Sequence, residues 1–265
     1  MKIIAVTVTY KRPDMLKKLL TALKEQTRQL DDIIVIDNNE NNIGCSAGFN
    51  QGIQEAYERG ADWIWCLDDD AIPENDTLEK MSKWCDRQPG FISCPIYFKN
   101  TNIIHKNNDV IPVKLSEFNW LQLYKIIAVN RSMWALLINR FAIKSIGLPI
   151  KEMFLSGDDN EYTKRISDMF RCFMICNTRI NHYTKENIGR SQRKIKGDAT
   201  RKYHYRNFVY NTRHEYSWFD AGFYITRYFI KSVQKCFKEK QVIHICTVVK
   251  WFVKGLFFNP GIEYV

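Results

Sequence analysis

Apolar residues in the N-terminal third fall into short dense runs separated by mixed stretches, and the two kinds of stretch have different periods. "KIIAVTVTY" is rich in β-branched residues and apolar on both faces, the pattern of a strand buried in a parallel sheet. "RPDMLKKLLTALKEQ" instead places Met15, Leu16, Leu19, Leu20 and Leu23 at helical spacing, with Pro13 near the start. "DDIIVIDNN" then reads as a second strand, "SAGFNQGIQEAYERG" as a second helix ended by Gly60, and "DWIWCLDDD" as a third strand.

A βαβαβ order with right-handed crossovers predicts an α/β fold with a mostly parallel sheet flanked by helices, and such sheets bind ligands beyond the carboxyl ends of their strands. The polar residues after each strand are therefore the ones to watch: Thr9, Tyr10 and Arg12, then Asp37, Asn38 and Asn39, then Asp68, Asp69 and Asp70. All three groups are expected to meet in one crevice.

Further along, "FISCPIYF" reads as a fourth strand, residues 99–125 as a long loop or weak strands, and "MWALLINRFAIKSIGLP" as a mixed apolar segment closing on Gly147 and Pro149. "TKENIGRSQRKIKGDATRKYHYRN" is a polar, basic loop, and aromatic-rich helices are expected after it. No internal repeat or low-complexity tract is present.

Composition sharpens this reading in three places. At 265 residues and 45% apolar content the chain can bury a substantial core. No positively charged prelude leads into a long apolar run, and "VIHICTVVKWFVKGLFF" is cut by Lys250 and Lys254, so neither a signal peptide nor a spanning helix is expected. Eight cysteines without a CxxC pair suit free thiols in a reducing cytoplasm.

The net charge of +10 is unevenly placed. From Lys185 onward sixteen Lys and Arg face six Asp and Glu, so the whole excess lies in the last third, where an anionic partner is expected. A solvated basic face is the plainer explanation.

Three constellations carry candidate chemistry. In the Asp triplet, strand alternation puts Asp68 and Asp70 on one side and Asp69 on the other. Two carboxylates projecting together form a hard-oxygen site for Mg²⁺ or Mn²⁺, which relieves their repulsion; helix capping near residues 73–77 would need only one of them. In "FLSGDDNEYTKRI", Ser156 and Asp159 have capping-box spacing, yet Asp158 and Glu161 remain unexplained and a general base is the competing role. His182, between the strand-like "CFMICNTRI" and the basic loop, is placed where a third metal ligand would enter, though a lone His is more often simply packed.

In this order, "VTVTYKRPDMLKKLLTAL", "VIDNN", "NNIGCSAGFNQGI", "LDDDA" and "SIGLPIKEMFLSGDDNEYTKRI" resemble a GT-A glycosyltransferase of family 2. Among its members they are most similar to bacterial galactofuranosyltransferases and rhamnosyltransferases of surface polysaccharide assembly. "YHYRN" resembles a segment that these enzymes carry after the active-site loop. The likeness spans about residues 3 to 210 and leaves the C-terminal fifty or so unmatched.

The resemblance implies a GT-A catalytic domain over 1–205 and a basic, aromatic helical extension over 206–265. It implies inverting transfer from a nucleotide sugar, with Asp68, Asp70 and His182 as ligands of Mn²⁺ or Mg²⁺. Asp159 is the implied base beside Asp158, and Thr9, Tyr10, Arg12, Asp37, Asn39, Asn42 and Asp69 are the implied donor-binding set. The unbroken Asp triplet and "GCSAGFNQG" favour a UDP-galactofuranose donor over dTDP-rhamnose.

A saccharide acceptor, lipid-linked in O-antigen, lipopolysaccharide or capsule synthesis, is implied as the second substrate. The Trp, Phe, Lys and Arg mixture at the C-terminus is expected to hold a cytoplasmic enzyme peripherally at the inner membrane, or to pack on the main domain or a second copy of the chain. A nucleotidyltransferase is disfavoured, because "TYKRPD" lacks a Gly-rich phosphate loop. A non-catalytic membrane or nucleic-acid binding module would leave both acid clusters unexplained.

Overall fold

The computed structural model describes residues 1–106, 126–188, 193–195 and 200–265. Most of the 99–125 segment and Arg190 lie outside these described residues. The N-terminal βαβαβ unit is as the pattern predicts: β1 (Ile3–Thr9), α1 (Pro13–Lys24), β2 (Asp32–Asp37), α2 (Cys45–Glu58) and β3 (Trp63–Asp68). β1 lies between β2 and β3 and is parallel to both.

A seven-stranded sheet continues from this unit in the order β2-β1-β3-β8-β5-β9-β7, using β5 (Phe91–Ser93), β7 (Ile126–Ala128), β8 (Ala135–Asn139) and β9 (Phe173–Ile175). The segment "MWALLINRFAIKSIGLP" resolves into β8, antiparallel to both its neighbours, and α4 (Arg140–Ile146), whose Asn139 side chain caps the Phe141 amide. Two apolar clusters cover the sheet's faces. β1 supplies Ile4, Val6 and Val8 to one and Ile3 and Ala5 to the other, each fully buried Ile or Val being worth about 1.5–3 kcal/mol.

α2 lies unusually close to β1. A Cβ at Gly52 would sit 2.4 Å from Val6 Cγ1, and one at Gly48 would sit 2.6 Å from Val8 Cγ1. Glycine at these two positions lets the helix that begins beneath the cleft pack directly on the central strand.

"FISCPIYF" is not one strand. Pro95 has no N–H to continue a ladder, and the chain leaves the large sheet at Cys94 to form β6 (Ile96–Phe98) in a second sheet. That sheet has the order β4-β10-β6, with β4 (Ala71–Pro73) and β10 (Ile180–His182) antiparallel and β10 and β6 parallel. "CFMICNTRI" is divided in the same way between β9 and β10.

Three helices end the chain: α6 (Arg201–Glu215), α7 (Trp218–Lys238) and α8 (Ile245–Phe257). They share a small core of Tyr205, Val209, Cys236, Val248 and Phe252. Position 205 lies within α6, which is continuous from the loop beside the cleft into the C-terminal helices. The cysteines are all free thiols.

Candidate functional site

The carboxyl ends of β1 and β3 open into a cleft of about 690 Å³ whose wall includes Thr9, Tyr10, Arg12, Asn38, Asn42, the Asp triplet, Asp158, Asp159 and His182. Most of the residues singled out from the sequence therefore converge. Asp37 and Asn39 stand outside this wall. The Asp37 carboxylate accepts from the Asn39 amide at 2.8 Å, and Asn39 Oδ1 accepts from the Lys11 amide at 2.6 Å, so the pair braces the turn after β1. Asn38 takes their place inside, with its side chain donating to Gly44 O at 3.1 Å.

The triplet departs from simple strand alternation because β3 ends at Asp68, and Asp69 and Asp70 lie in the turn that enters β4. Asp69 accepts from the Thr9 hydroxyl at 2.8 Å, and Arg12 bridges Asp69 (3.0 Å) and Asp70 (2.7 Å). The second sheet delivers His182: β10 pairs it opposite Ala71, the Tyr183 amide donates to Asp70 O at 2.9 Å, and His182 Nε2 lies 2.9 Å from Asp70 Oδ1.

Charge is distributed unequally among these acids. Burial acts to raise the Asp70 pKa, but the hydrogen bond to His182 and the charges of His182 and Arg12 outweigh it and hold Asp70 at about 2. Asp69 is raised by burial despite Arg12 and Thr9. Asp68 is pushed well above the usual carboxylate range, first by burial and then by the charges of Asp70, Asp69, Asp159 and Asp158. Among the described residues its side chain takes only long contacts, from Cys45 Sγ at 4.0 Å and His182 Nε2 at 4.0 Å.

Asp68, Asp70 and His182 each offer a ligand atom, all within 4.8 Å of one another. Two carboxylate oxygens and an imidazole nitrogen suit Mn²⁺ and related divalent ions, and an uncompensated carboxylate among other acids is the charge such an ion would neutralise. The residues present fit the group.

Across the cleft, α5 (Asp158–Met169) starts at Gly157, which has φ 86°, and not at Ser156 as capping-box spacing predicts. Ser156 has φ 75°, which turns it away from the helix, and its hydroxyl lies 3.1 Å from His204 Nδ1. The Asp158 carboxylate accepts the Trp134 indole N–H at 2.9 Å in a buried contact, while Asp159 Oδ1 accepts the Asn160 amide at 2.8 Å. Glu161 pairs with Arg165 at 2.7 Å and takes no place in the donor cleft wall.

The loop leading into α5 is strained. Phe154 has φ 64° and ψ −61°, and the Leu155 amide donates to Met153 O at 2.7 Å, a γ-turn of the rare positive-φ kind. Such backbone costs about 1–3 kcal/mol per residue and persists only where neighbours fix it. Asn207 of α6 supplies that hold. Its fully buried amide donates to the carbonyls of Met153 (3.0 Å), Leu155 (3.2 Å) and Ser156 (2.8 Å).

This is the structural content of "YHYRN", for whose His204 and Asn207 the resemblance implies no individual role; Trp134 and Cys45 are further residues of the cleft wall to which the sequence alone assigns no role. Asn207→Ala is expected to destabilise the protein by about 1–3 kcal/mol, since it leaves the buried Ser156 carbonyl and the part-buried Leu155 carbonyl without this donor, while Met153 O keeps the Leu155 amide and Arg206. Urea denaturation measures this directly.

An acid-lined cleft at the carboxyl ends of parallel strands, facing a second carboxylate pair at a helix start, defines this architecture as a GT-A fold. Residues 30–147 match the family described as glycosyl transferase family 2. Galactofuranosyltransferase GlfT1 of Mycobacterium tuberculosis is 36% identical over 91 residues, covering 26% of this chain and 30% of the relative. Its counterpart in Mycolicibacterium smegmatis is 34% identical over 95 residues, covering 28% and 32%. The chain thus spans about a third of the length of these curated relatives.

Among solved structures, S. aureus TarS 1-349 superposes with a TM-score of 0.61 at 13% identity, covering 96% of this chain and 81% of that one. GalNAc-T7 with UDP, GalNAc and Mn²⁺ superposes with a TM-score of 0.65 at 14% identity, covering 96% and 56%. Identities this low establish a shared fold.

Proposed function

We propose that this chain is an inverting, metal-dependent glycosyltransferase that moves a sugar from a nucleotide diphosphate donor, UDP-galactofuranose favoured, onto a saccharide acceptor. The observation that carries the reading is the meeting of Asp68, Asp70 and His182 in the cleft opposite Asp159. The galactofuranosyltransferase relatives support the donor assignment.

In this reading the acceptor hydroxyl gives its proton to Asp159 as its oxygen bonds to the anomeric carbon. The bond from that carbon to the diphosphate breaks with its electron pair leaving on the diphosphate. A divalent ion, Mn²⁺ or Mg²⁺, would offset that developing charge as a Lewis acid. Asp68, Asp70 and His182 would hold it; both Asp70 oxygens are engaged, by His182 and Arg12, so binding there would exchange these hydrogen bonds for metal ligation, whereas Asp68 would have only long contacts to give up. Thr9, Tyr10, Arg12, Asn42 and Asp69 line the donor side. Arg193, one of the described residues of the basic loop, also lines the cleft, where its charge suits the diphosphate.

Purified protein offered UDP-galactofuranose, UDP-galactose and dTDP-rhamnose with Mn²⁺ is expected to hydrolyse the first fastest. Equal indifference to all three would overturn the reading.

The acceptor is assigned as lipid-linked on the strength of the C-terminal helices, and the chain is placed peripherally at an anionic membrane. Among the described residues no helix is long and apolar enough to span a bilayer. α7 and α8 instead expose apolar stripes, Phe219, Phe223, Ile230 and Phe237 on one and Val249, Val253 and Leu256 on the other. Trp218 at 87% exposure and Phe257 at 82% lie at their ends. Exposed Arg227, Lys231, Lys238, Lys250 and Lys254 accompany the stripes, so the face is complementary to an acidic headgroup layer. The protein is expected to sediment with vesicles containing phosphatidylglycerol, less so at high salt, and Phe223→Ser with Phe257→Ser is expected to release it. Sedimentation unchanged in that variant would count against the membrane assignment.

A further inference from the structure

A second cavity, of about 520 Å³, lies on the other side of the α5 start, and Gly157, Asn160 and His204 line both it and the donor cleft. Its volume is that of a small-molecule site. Asp159 belongs to the wall of the first cavity and Glu161 to the wall of the second, so the first turn of α5 divides the two. At Gly157 no side chain stands between them, and the φ of 86° found there is one that L side chains rarely adopt.

The lining of this second cavity differs in kind from the cleft. Each of its Lys and Arg side chains is paired with a carboxylate: Arg131 with Glu215, Arg165 with Glu161, and Lys164 with Asp168. The wall is therefore close to neutral and offers no free cluster of positive charge for a phosphate. Aromatic surface replaces it. Phe208, Tyr216 and Tyr224 line the cavity, and the last two stand at 42% and 41% exposure with ring centroids 4.8 Å apart.

Ring faces beside carboxylates that keep lone pairs to spare match a neutral sugar, which presents C–H faces and a rim of hydroxyls. Tyr224 is also in ring contact with Phe223 of the exposed stripe, at 5.7 Å between centroids, so the cavity mouth adjoins the face assigned to the membrane.

From this geometry we infer that the second cavity seats the acceptor saccharide, its ring against Tyr216 and Tyr224 and one hydroxyl reaching Asp159 past Gly157. The inference rests on the glycosyl-transfer reading and adds the acceptor's chemical class and seat. Tyr216 and Tyr224 lie outside the stretch of residues 30–147 that matches the family, so the aromatic wall of this seat comes from the chain's C-terminal part and packs against α5.

Saturation-transfer NMR on the full chain with Mn²⁺ and UDP tests it, using methyl β-galactofuranoside, methyl α-rhamnopyranoside and methyl α-glucopyranoside at about 10 mM each, a level suited to millimolar binders. At least one glycoside is expected to receive saturation at its ring protons. Tyr216→Ala with Tyr224→Ala is expected to weaken its binding about tenfold or more, and Tyr216→Phe with Tyr224→Phe to preserve it, because the ring face is what the sugar meets. UDP titration of the same samples separates the outcomes. UDP binding intact with no glycoside bound, or with glycoside binding unmoved by the alanine pair, overturns the seat and leaves the donor reading standing; a wild-type chain that fails to bind UDP with Mn²⁺ overturns both.

Discussion

In chelator, Asp68→Asn is expected to melt at a higher temperature than the parent chain, and on addition of Mn²⁺ and UDP it is expected to lose the stabilisation the parent gains. The two halves have one cause. Asp68 is a carboxylate surrounded by Asp69, Asp70, Asp158 and Asp159, with His182 Nε2 at 4.0 Å its one ion-pair contact among the described residues, and burial together with the acidic charges raises its pKa well above the ordinary value. Its ionisation therefore opposes folding. Below the unfolded-state pKa the group is protonated in both states and has no effect. As pH rises from there through the raised folded value, the parent loses stability that the Asn variant keeps.

Asp70 has the opposite signature. Held at about 2 by His182 and Arg12 against the pull of burial, it adds stability that is present above the unfolded carboxylate pKa and is lost as pH falls from there through about 2. Asp70→Asn should thus lower the melting temperature at neutral pH while Asp68→Asn raises it. Ligand at a hundredfold its dissociation constant contributes about 2.7 kcal/mol, so the parent's gain from Mn²⁺ and UDP is expected to be roughly 5–10 °C for a chain of this size. Differential scanning fluorimetry from about pH 2 to pH 8, with chelator and then with Mn²⁺ and UDP, reads all of these. A parent chain that melts above Asp68→Asn in chelator would remove the idea that the acid cluster awaits a cation.

The N-terminal half of the site was legible because its information is local. β1, β2 and β3 are apolar runs that end in polar residues, and the parallel order puts those ends side by side, so Thr9, Arg12 and the Asp triplet meet without any further knowledge. The small sheet was not legible, because β4, β6 and β10 are three residues each and too short to show a period. His182 reaches Asp70 across 112 residues of sequence through that sheet, which is why its position in the sequence was a weak pointer and the resemblance a stronger one.

Capping chemistry misled at Ser156 for a related reason. The positive φ at Phe154, Ser156 and Gly157 is imposed by Asn207, about fifty residues away, and overrides the local preference. Asp37 and Asn39 illustrate the reverse case, in which a polar pair after a strand hydrogen-bonds within its own turn.

The largest kinetic effect is expected at Asp159. Replacing it with Asn keeps the size and the hydrogen bond to the Asn160 amide but removes the group that would take the acceptor's proton, and positioned general bases contribute about 10²- to 10⁴-fold. Asp159 lies outside the set of Asp68, Asp70 and His182, so UDP affinity in Mn²⁺ should be unchanged while kcat falls by that factor. Asp158 provides the control. Its carboxylate is committed to the Trp134 indole, and Trp134 in turn stacks on Phe49 of α2 with ring centroids 4.2 Å apart, so this aspartate ties the α5 start to the sheet and to the helix beneath the cleft. Asp158→Asn keeps an oxygen that can accept the indole N–H and should cost activity far less than Asp159→Asn, whereas Asp158→Ala should lower the melting temperature as well as the rate. Steady-state transfer kinetics with calorimetric UDP titration distinguish the two residues. Equal losses of kcat in Asp158→Asn and Asp159→Asn would mean that the pair acts as a unit and that assigning the proton to Asp159 alone is wrong.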